Sequence, residues 1–340
     1  MKVIIPVAGA GTKLRPLTYT QPKALIPVAG KRILDFIIDQ LLEVGLKEFV
    51  FVVGYLGEKI KDHVDAKYPQ IKADYAVQAD RLGVGHAIWT TKSFIKENEE
   101  ILIVLGDTIV KADLTEVLKS PKSTLGVRKV DDPRDFGVVE FDSKGKIVGL
   151  VEKPKFPKSN MALVGVYKIK ETRMLFDSLG KLMVREVREG EEIHLTDAIM
   201  MMLQNGIEFD SFKVDNWHDC GKVEILLETN AKLLKGTEYI PTDREMLNNS
   251  VLIQPVTIAK GARLVNSVVG PNVTIGENAQ VHFSIVSNSI IGDFANLNYV
   301  RLSDSVIGSD TTITGFKQSL NIGDNTELDF SGERGSKPKP

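Results

Sequence analysis

Apolar positions fall into two textures that meet near residue 245. Before it, unbroken apolar runs alternate with runs of helical period. Val3–Val7, Phe49–Val53 and Ile101–Leu105 are continuous apolar stretches, which predicts strands buried on both faces. Between them, Ile33, Leu34, Ile37, Ile38, Leu41 and Leu42 recur at helical spacing, with Asp35, Asp39 and Glu43 expected on the solvent side. Leu56–Val64 and Val84–Phe94 read as helices, and Ile71–Val77 as extended chain. This alternation predicts an α/β domain with a mainly parallel sheet covered on both faces.

After about residue 250 the helical period stops. Ile275-Gly276, Ile291-Gly292, Ile307-Gly308 and Ile322-Gly323 recur every 15 or 16 residues. Single apolar residues lie between them, among them Val281, Ile285, Leu297, Leu302 and Ile313, and are expected to point inward. A repeat of that length, split into three short strands per turn, predicts a β-helix with three faces. An antiparallel sandwich is the competing reading, but it would not hold a fixed period. Gly236–Ser250 is the expected junction, and the polar tail from Ser331 is expected to be disordered.

Composition narrows the possibilities. The chain has 340 residues, about two domains by length, with 43% hydrophobic and 26% charged residues. Its formal charge of −2 lacks the basic surplus of a non-specific nucleic-acid binder. Cys220 is the single cysteine, so an internal disulfide and a cysteine-based metal site are excluded, and a reducing cytoplasm is the expected setting. No apolar run approaches the ~18 residues of a membrane span, and the start does not read as a signal peptide. The five histidines show no metal-ligand spacing and read as structural.

The strongest chemical signal follows the first strand: Gly9-Ala10-Gly11-Thr12-Lys13-Leu14-Arg15-Pro16-Leu17-Thr18, then Pro22-Lys23. A glycine turn at the carboxyl edge of a parallel sheet lies where such folds bind ligands. Its backbone N–H groups can approach phosphate oxygens while Lys13, Arg15 and Lys23 supply charge. It matches neither a P-loop nor a complete dinucleotide fingerprint. From the residues alone it is either a phosphate loop or a plain strand–helix turn.

That opening resembles the sugar-1-phosphate nucleotidyltransferases. Several further segments follow in the family's order over roughly residues 1–235. They are Tyr75-Ala76-Val77-Gln78 with Gly83, Leu105-Gly106-Asp107, Asp132 to Asp142, Glu152-Lys153-Pro154 on to Gly165 and Tyr167, Leu195-Thr196-Asp197, and Trp217-His218-Asp219 with Gly221. The sugar-side segments look like the glucose-1-phosphate thymidylyltransferase branch, and the repeats resemble the left-handed β-helix of its long form. The resemblance implies a Rossmann-like nucleotidyltransferase domain over 1–240, a β-helix over 250–330 and a tail over 331–340. It implies a nucleoside triphosphate and a sugar 1-phosphate as substrates and Mg²⁺ as cofactor. Asp107 and Asp219 would hold the metal. Lys13, Lys23, Asp107, Lys153 and Asp219 would be catalytic. Gly9, Gly11, Thr12, Gln78 and Gly83 would bind nucleotide, and Gly137, Glu152, Lys153, Asn160 and Gly165 the sugar. The β-helix would mediate homo-oligomer formation and leave the chemistry to the first domain.

The sequence departs from the family in three places. Lys13 stands where arginine is usual, keeping charge but losing the two-pronged geometry of a guanidinium. Arg32 replaces a usual proline, and Lys222 a usual threonine. Leu82-Gly83-Val84-Gly85-His86-Ala87 looks more like the uridylyltransferase pattern, so dTTP and UTP both remain open. Two other readings also remain: a regulatory homologue without turnover, and a bifunctional enzyme with acyl transfer in the β-helix. Against the second, Asn298 and Tyr299 occupy the region where acetylating relatives carry a histidine.

Overall fold

The computed structural model describes residues 1–184, 191–214, 216–235 and 247–315. The expected tail at 331–340, the Ile322-Gly323 repeat and most of the expected junction lie outside the described residues. The first unit contains the strands β1 (Lys2–Pro6), β2 (Pro27–Val28) and β3 (Lys31–Arg32), then helix α1 (Ile33–Glu43), β4 (Glu48–Val53), α2 (Gly57–Lys67), β5 (Lys72–Val77) and α3 (Gly83–Trp89). There follow β6 (Ile101–Val104), β7 (Thr108–Lys111), α4 (Leu114–Lys119), β8 (Ser123–Lys129), β9 (Gly137–Phe141), β10 (Ile147–Glu152) and β11 (Met161–Ile169). Helices α5 (Thr172–Val184) and α6 (Leu195–Gln204), strands β12 (Phe209–Lys213) and β13 (Asn216–Asp219), and helix α7 (Val223–Leu234) complete it.

Strands β6, β1, β4 and β5 lie side by side and parallel. The inner three, β1, β4 and β6, are apolar where they cross the core: Val3, Ile4, Ile5, Phe49, Phe51, Ile101 and Ile103 have no exposed surface, whereas β5 at the edge is half-exposed. Strand β11 continues this sheet antiparallel to β6 along its second half and to β9 along its first residues, and it carries β8 on its opposite edge. That second half holds the glycine-rich and charged sugar-side segments. The carboxyl ends of β1 and β6 therefore open onto the same edge, where chain reversals leave room for a ligand.

Helix α1 corrects one expectation. Asp35 does not face solvent; it is 1% exposed. His63 Nε2 lies 2.7 Å from its Oδ1, Lys67 Nζ donates to Oδ2 at 2.6 Å, Tyr68 OH donates to Oδ1 at 3.1 Å, and the Arg32 amide donates to Oδ2 at 3.0 Å. Helical spacing alone cannot distinguish a polar face from a polar residue buried against partners from another helix. Burial opposes ionisation of Asp35, but His63, Lys67 and the Arg32 amide outweigh it and hold the carboxyl far below the ordinary carboxylate range.

The second unit is a parallel β-helix. Its first face stacks 247–248, 263–265, 280–282, 296–298 and 312–314; the second stacks 251–252, 268–269, 285–287 and 301–303; the third stacks 256–258, 273–275, 290–291 and 306–307. Left-handed residues recur at the corners from coil to coil: Asn249, Asn266, Phe283 and Tyr299 at one, Asn272, Asn288 and Asp304 at the next, where Pro255 stands in the first coil, and Gly261, Asn278, Phe294 and Asp310 at the third. Asparagine, aspartate and glycine suit that conformation; the three aromatic residues are strained there. One inward expectation fails. Ile285 is 48% exposed, and Val286 fills the core instead. On a two-residue strand the side chains alternate, so the column Val251, Val268, Ile285, Arg301 faces out.

Asp35→Ala should destabilise the first unit at neutral pH by about 2–3 kcal/mol, because it strands the Arg32 amide and a buried Tyr68 hydroxyl contact. A carboxyl depressed on folding contributes stability above its ordinary pKa and loses it as pH falls. Denaturant titrations at pH 7 and in the acid range should therefore show the wild-type advantage shrinking below the ordinary carboxylate pKa of 3.8.

Candidate active site

Two cavities share a wall at the carboxyl edge of the sheet. The first, of about 360 Å³, is lined by Pro6 to Thr12, Lys23, Gln78, Arg81, Gly83, Asp107 and neighbours. The second, of about 230 Å³, is lined among others by Asp135, Gly137, Glu152, Lys153, Gly165, Tyr167, His194, Trp217 and Asp219. Val84, Leu105, Asp107 and Glu192 line both.

Backbone geometry shapes the first cavity. Gly11 has φ +59° and its carbonyl accepts from Thr18 Oγ1 at 2.8 Å and from the Leu14 amide at 2.9 Å. A Cβ there would come within 2.8 Å of Thr18, so the left-handed turn and the close packing both require glycine. Thr12 and Lys13 are exposed on the lip. Gln78 is buried; its Nε2 donates to the Gly83 carbonyl at 3.0 Å and lies 3.1 Å from His86 Nδ1. With the amide nitrogen so occupied, Oε1 is the end left for a ligand.

The charged centre lies where the cavities meet. Strand β6 ends at Val104, and Asp107 follows three residues later, immediately before the ribbon strand β7. Strand β13 pairs with β7 so that Asp219 stands opposite Thr108, next to Asp107. Lys23 Nζ bonds Asp107 Oδ2 at 2.7 Å, with the lysine side chain only 14% exposed. Burial works against ionisation of Asp107, but Lys23 dominates and holds its carboxyl below the ordinary range. Asp219 is pushed the other way, first by burial and then by the negative charge of Asp107; Lys23 and Lys13 only partly offset this. Lys13 thus acts on Asp219 electrostatically even though it does not line either cavity.

On the sugar side, Thr196 Oγ1 donates to Glu152 Oε2 at 3.0 Å, and Lys153 has φ +40°, a strained conformation for a lysine at a cavity wall. Gly165 has φ +82° inside an irregular stretch of β11, and a Cβ there would meet Leu105 at 2.9 Å. Its carbonyl accepts from the Leu105 amide at 2.9 Å, so packing against the Asp107 strand also accounts for this glycine. Asn160 is not brought to the other sugar-side residues. It is exposed, lines neither cavity, and its carbonyl accepts from Val130, because β11 begins one residue later.

Other lining residues escaped the sequence reading. Arg81 and Glu192 lie outside every recognised motif, and His194 lines the sugar-side cavity although its spacing suggested a structural role. One signal was available: Glu192 and His194 immediately precede the Leu195-Thr196-Asp197 segment. The five histidines form no metal cluster, and no group of three or more His, Cys, Asp or Glu residues is placed to hold a metal among the described residues.

A family model described as nucleotidyl transferase matches residues 2–236. The chain belongs to that family. A glucose-1-phosphate thymidylyltransferase of Streptomyces griseus is 30% identical over 97% of this chain and 100% of its own. The bifunctional protein GlmU of Methanocaldococcus jannaschii is 36% identical over 77% of this chain, which spans about three fifths of that relative, 61% of its length. A UDP-glucose pyrophosphorylase solved with UDP-glucose superposes with a TM-score of 0.62 and 25% identity, over 69% of this chain and 99% of its own. The chemistry shared by these matches is nucleotidyl transfer to a sugar 1-phosphate, and this chain is a sugar-1-phosphate nucleotidyltransferase.

Gly85→Ala and Gly9→Ala should separate packing from ligand approach. A Cβ on Gly85 would stand 2.7 Å from the Ile193 carbonyl, whereas nothing lies within 4 Å of one on Gly9. Gly85→Ala should lower Tm measurably in thermal melts. Gly9→Ala should melt like wild type yet raise the nucleotide KM, because its methyl enters the cavity.

Proposed function

We propose that the first cavity takes dTTP or UTP and the second takes glucose 1-phosphate, giving a nucleotide sugar and pyrophosphate. The observation that carries this reading is the meeting of Lys23, Asp107 and Asp219 at the shared wall, where a sugar-phosphate oxygen must attack the α-phosphorus in line. Two anions have to be brought together there, so positioning and charge neutralisation do most of the catalysis. Lys23 and Lys13 face the triphosphate, Lys153 the sugar phosphate, and Glu152, oriented by Thr196, the sugar hydroxyls. Gln78 Oε1 can accept from the N3–H that thymine and uracil share. The methyl that distinguishes them is worth only ~1–3 kcal/mol, so both bases fit the same contact.

Asp107 and Asp219 suit a divalent cation. Asp219 is held towards its protonated form first by burial and then by the charge of Asp107, and a cation would relieve that repulsion. Two carboxylates, with no third acidic, histidine or cysteine ligand grouped with them among the described residues, suit Mg²⁺, which keeps several waters and binds substrate phosphates. Bound there, it would neutralise charge on the leaving pyrophosphate.

The exposed column of Val251 and Ile285, beside exposed Ile253, supports self-association through the β-helix. No described helix is long and apolar enough to cross a membrane. Buried Cys220, whose thiol is pushed up to about 12 chiefly by burial, suits a reducing cytoplasm.

Pyrophosphate release should be measured with Mg²⁺ across dTTP, UTP, GTP, CTP and ATP and several sugar 1-phosphates. Turnover is expected with dTTP or UTP and glucose 1-phosphate; turnover confined to a purine nucleotide would overturn the base assignment. Asp107→Asn and Asp219→Asn should each retain the fold and lose at least about 100-fold in kcat, as loss of a metal-bound charge in a water-excluded site typically does. Because Asp219 must be deprotonated to bind a cation and its pKa is raised, activity should fall on the acid side and be partly restored by more Mg²⁺. Sedimentation of the full chain and of Ile285→Asp should show a smaller species for the variant if the β-helix face joins copies.

A further inference from the structure

Arg32, the residue that departs from the family's proline, joins the two units. Its Nη2 donates to Asp293 Oδ2 at 2.6 Å, with the two side chains 25% and 20% exposed. Its Nη1 donates to the Leu25 carbonyl at 3.2 Å. Leu25 belongs to the single turn that carries Lys23: the Leu25 amide donates to the Pro22 carbonyl and the Ile26 amide to the Lys23 carbonyl. Lys23 in turn bonds Asp107. One guanidinium therefore ties a residue of the β-helix to the turn that presents the lysine at the active site.

The anchor on the β-helix side is itself fixed. Asp293 Oδ1 accepts from the Glu277 amide of the preceding coil at 3.0 Å, so its other oxygen is aimed outward. Ile290 of the same coil is fully buried in the apolar cluster that contains Leu25 and Ile26. A planar guanidinium can hold a carboxylate and a carbonyl at once; a proline at position 32 could hold neither. A second seam contact does not involve the Arg32 side chain: Asn230 Oδ1 accepts from Thr274 Oγ1 at 2.6 Å and from the Ala29 amide, in the turn of the hairpin that carries Arg32, at 2.9 Å.

We propose that Asp293 and Arg32 are positioning residues through which the β-helix sets the Lys23 turn for the triphosphate. The second unit is then part of the catalytic support and not only a surface for self-association. This rests on the reading that Lys23 meets the nucleotide.

The test compares Asp293→Ala, Asp293→Asn, Arg32→Lys, Thr274→Val and Lys23→Ala in the full chain, with Tm, kcat and both KM values for each. Asp293→Ala and Arg32→Lys should raise the nucleotide KM about five- to tenfold, part of what a charge-assisted contact is worth, and leave the sugar 1-phosphate KM within twofold. Asp293→Asn keeps an acceptor and should fall between. Thr274→Val loosens the seam without touching Arg32, so it should lower Tm but not move the nucleotide KM. If Thr274→Val raises that KM as much as Asp293→Ala, general loosening of the seam explains the effect and the proposal fails. It also fails if the Asp293 and Arg32 variants keep the wild-type nucleotide KM while Lys23→Ala loses it. If Lys23→Ala itself keeps the wild-type value, the role given to Lys23 is wrong and this proposal falls with it. Should Asp293→Ala not fold, the asparagine and lysine variants carry the same comparison.

Discussion

The ion pair between Lys23 and Asp107 is the point on which the rest of the molecule converges. It joins the loop after the first strand to the end of the strand beside it, and it stands where two cavities share a wall. Neither partner is placed by local sequence alone. Lys23 depends on a one-turn segment braced from outside, and Asp107 on a strand whose four residues are almost wholly buried. The pair also sets the electrostatics. With Lys23 in contact, Asp107 stays ionised despite burial, and its charge then works against ionisation of Asp219. One lysine serving two carboxylates leaves the site short of positive charge, the condition under which a cation and a second lysine at the lip have most effect.

The β-helix solves a different problem. Each coil must turn three corners in 16 or 17 residues, and every corner but that at Pro255 places one residue in the left-handed region. Serines tie the coils together. Ser250 Oγ accepts from the Ser267 amide, Ser267 Oγ from the Ser284 amide, and Ser284 Oγ from the Val300 amide. A rod built this way is stiff along its axis because every inter-coil contact is repeated. Stiffness gives Asp293 its value as an anchor, since an ion pair on a mobile loop would transmit little.

How much could be read beforehand follows from what each signal measures. Continuous apolar runs revealed the parallel strands because a strand buried on both faces has no polar alternative. The Ile-Gly period revealed the β-helix because glycine contacts the coil above: a Cβ on Gly276 or Gly292 would stand 2.6 Å from the next coil's backbone. Period alone could not say which of Ile285 and Val286 turns inward, since both are apolar and the choice depends on the corner before them. Asp35 was misplaced for a related reason: its partners His63, Lys67 and Tyr68 come from another helix and its end, invisible to a one-helix pattern. Within the site, residues carried by motifs gathered at the cavities, apart from Asn160 and from Lys13 at the lip. Arg81 and Glu192 have no motif, and only the folded chain brings them there.

The segment Glu192–Thr196 shows why such residues matter physically. The Ile193 amide donates to the Leu82 carbonyl at 2.7 Å, and the Ile193 carbonyl accepts from the Gly85 amide at 2.8 Å. Three residues on, Thr196 holds Glu152. A stretch of four residues is thus pinned to the turn beside Gln78 at one end and to the sugar-side carboxylate at the other. Glycine is required at 83 and 85 because a Cβ at either would come within 2.8 Å of the Ile193 carbonyl. Two backbone hydrogen bonds and one side-chain bond fix the separation of the cavities more tightly than loop packing could, because each bond fails within a few tenths of an ångström. In-line transfer between two bound anions depends on that separation. The glycines opposite Ile193 therefore constrain the spacing of the two cavities by close packing, a contribution separate from that of the charged groups.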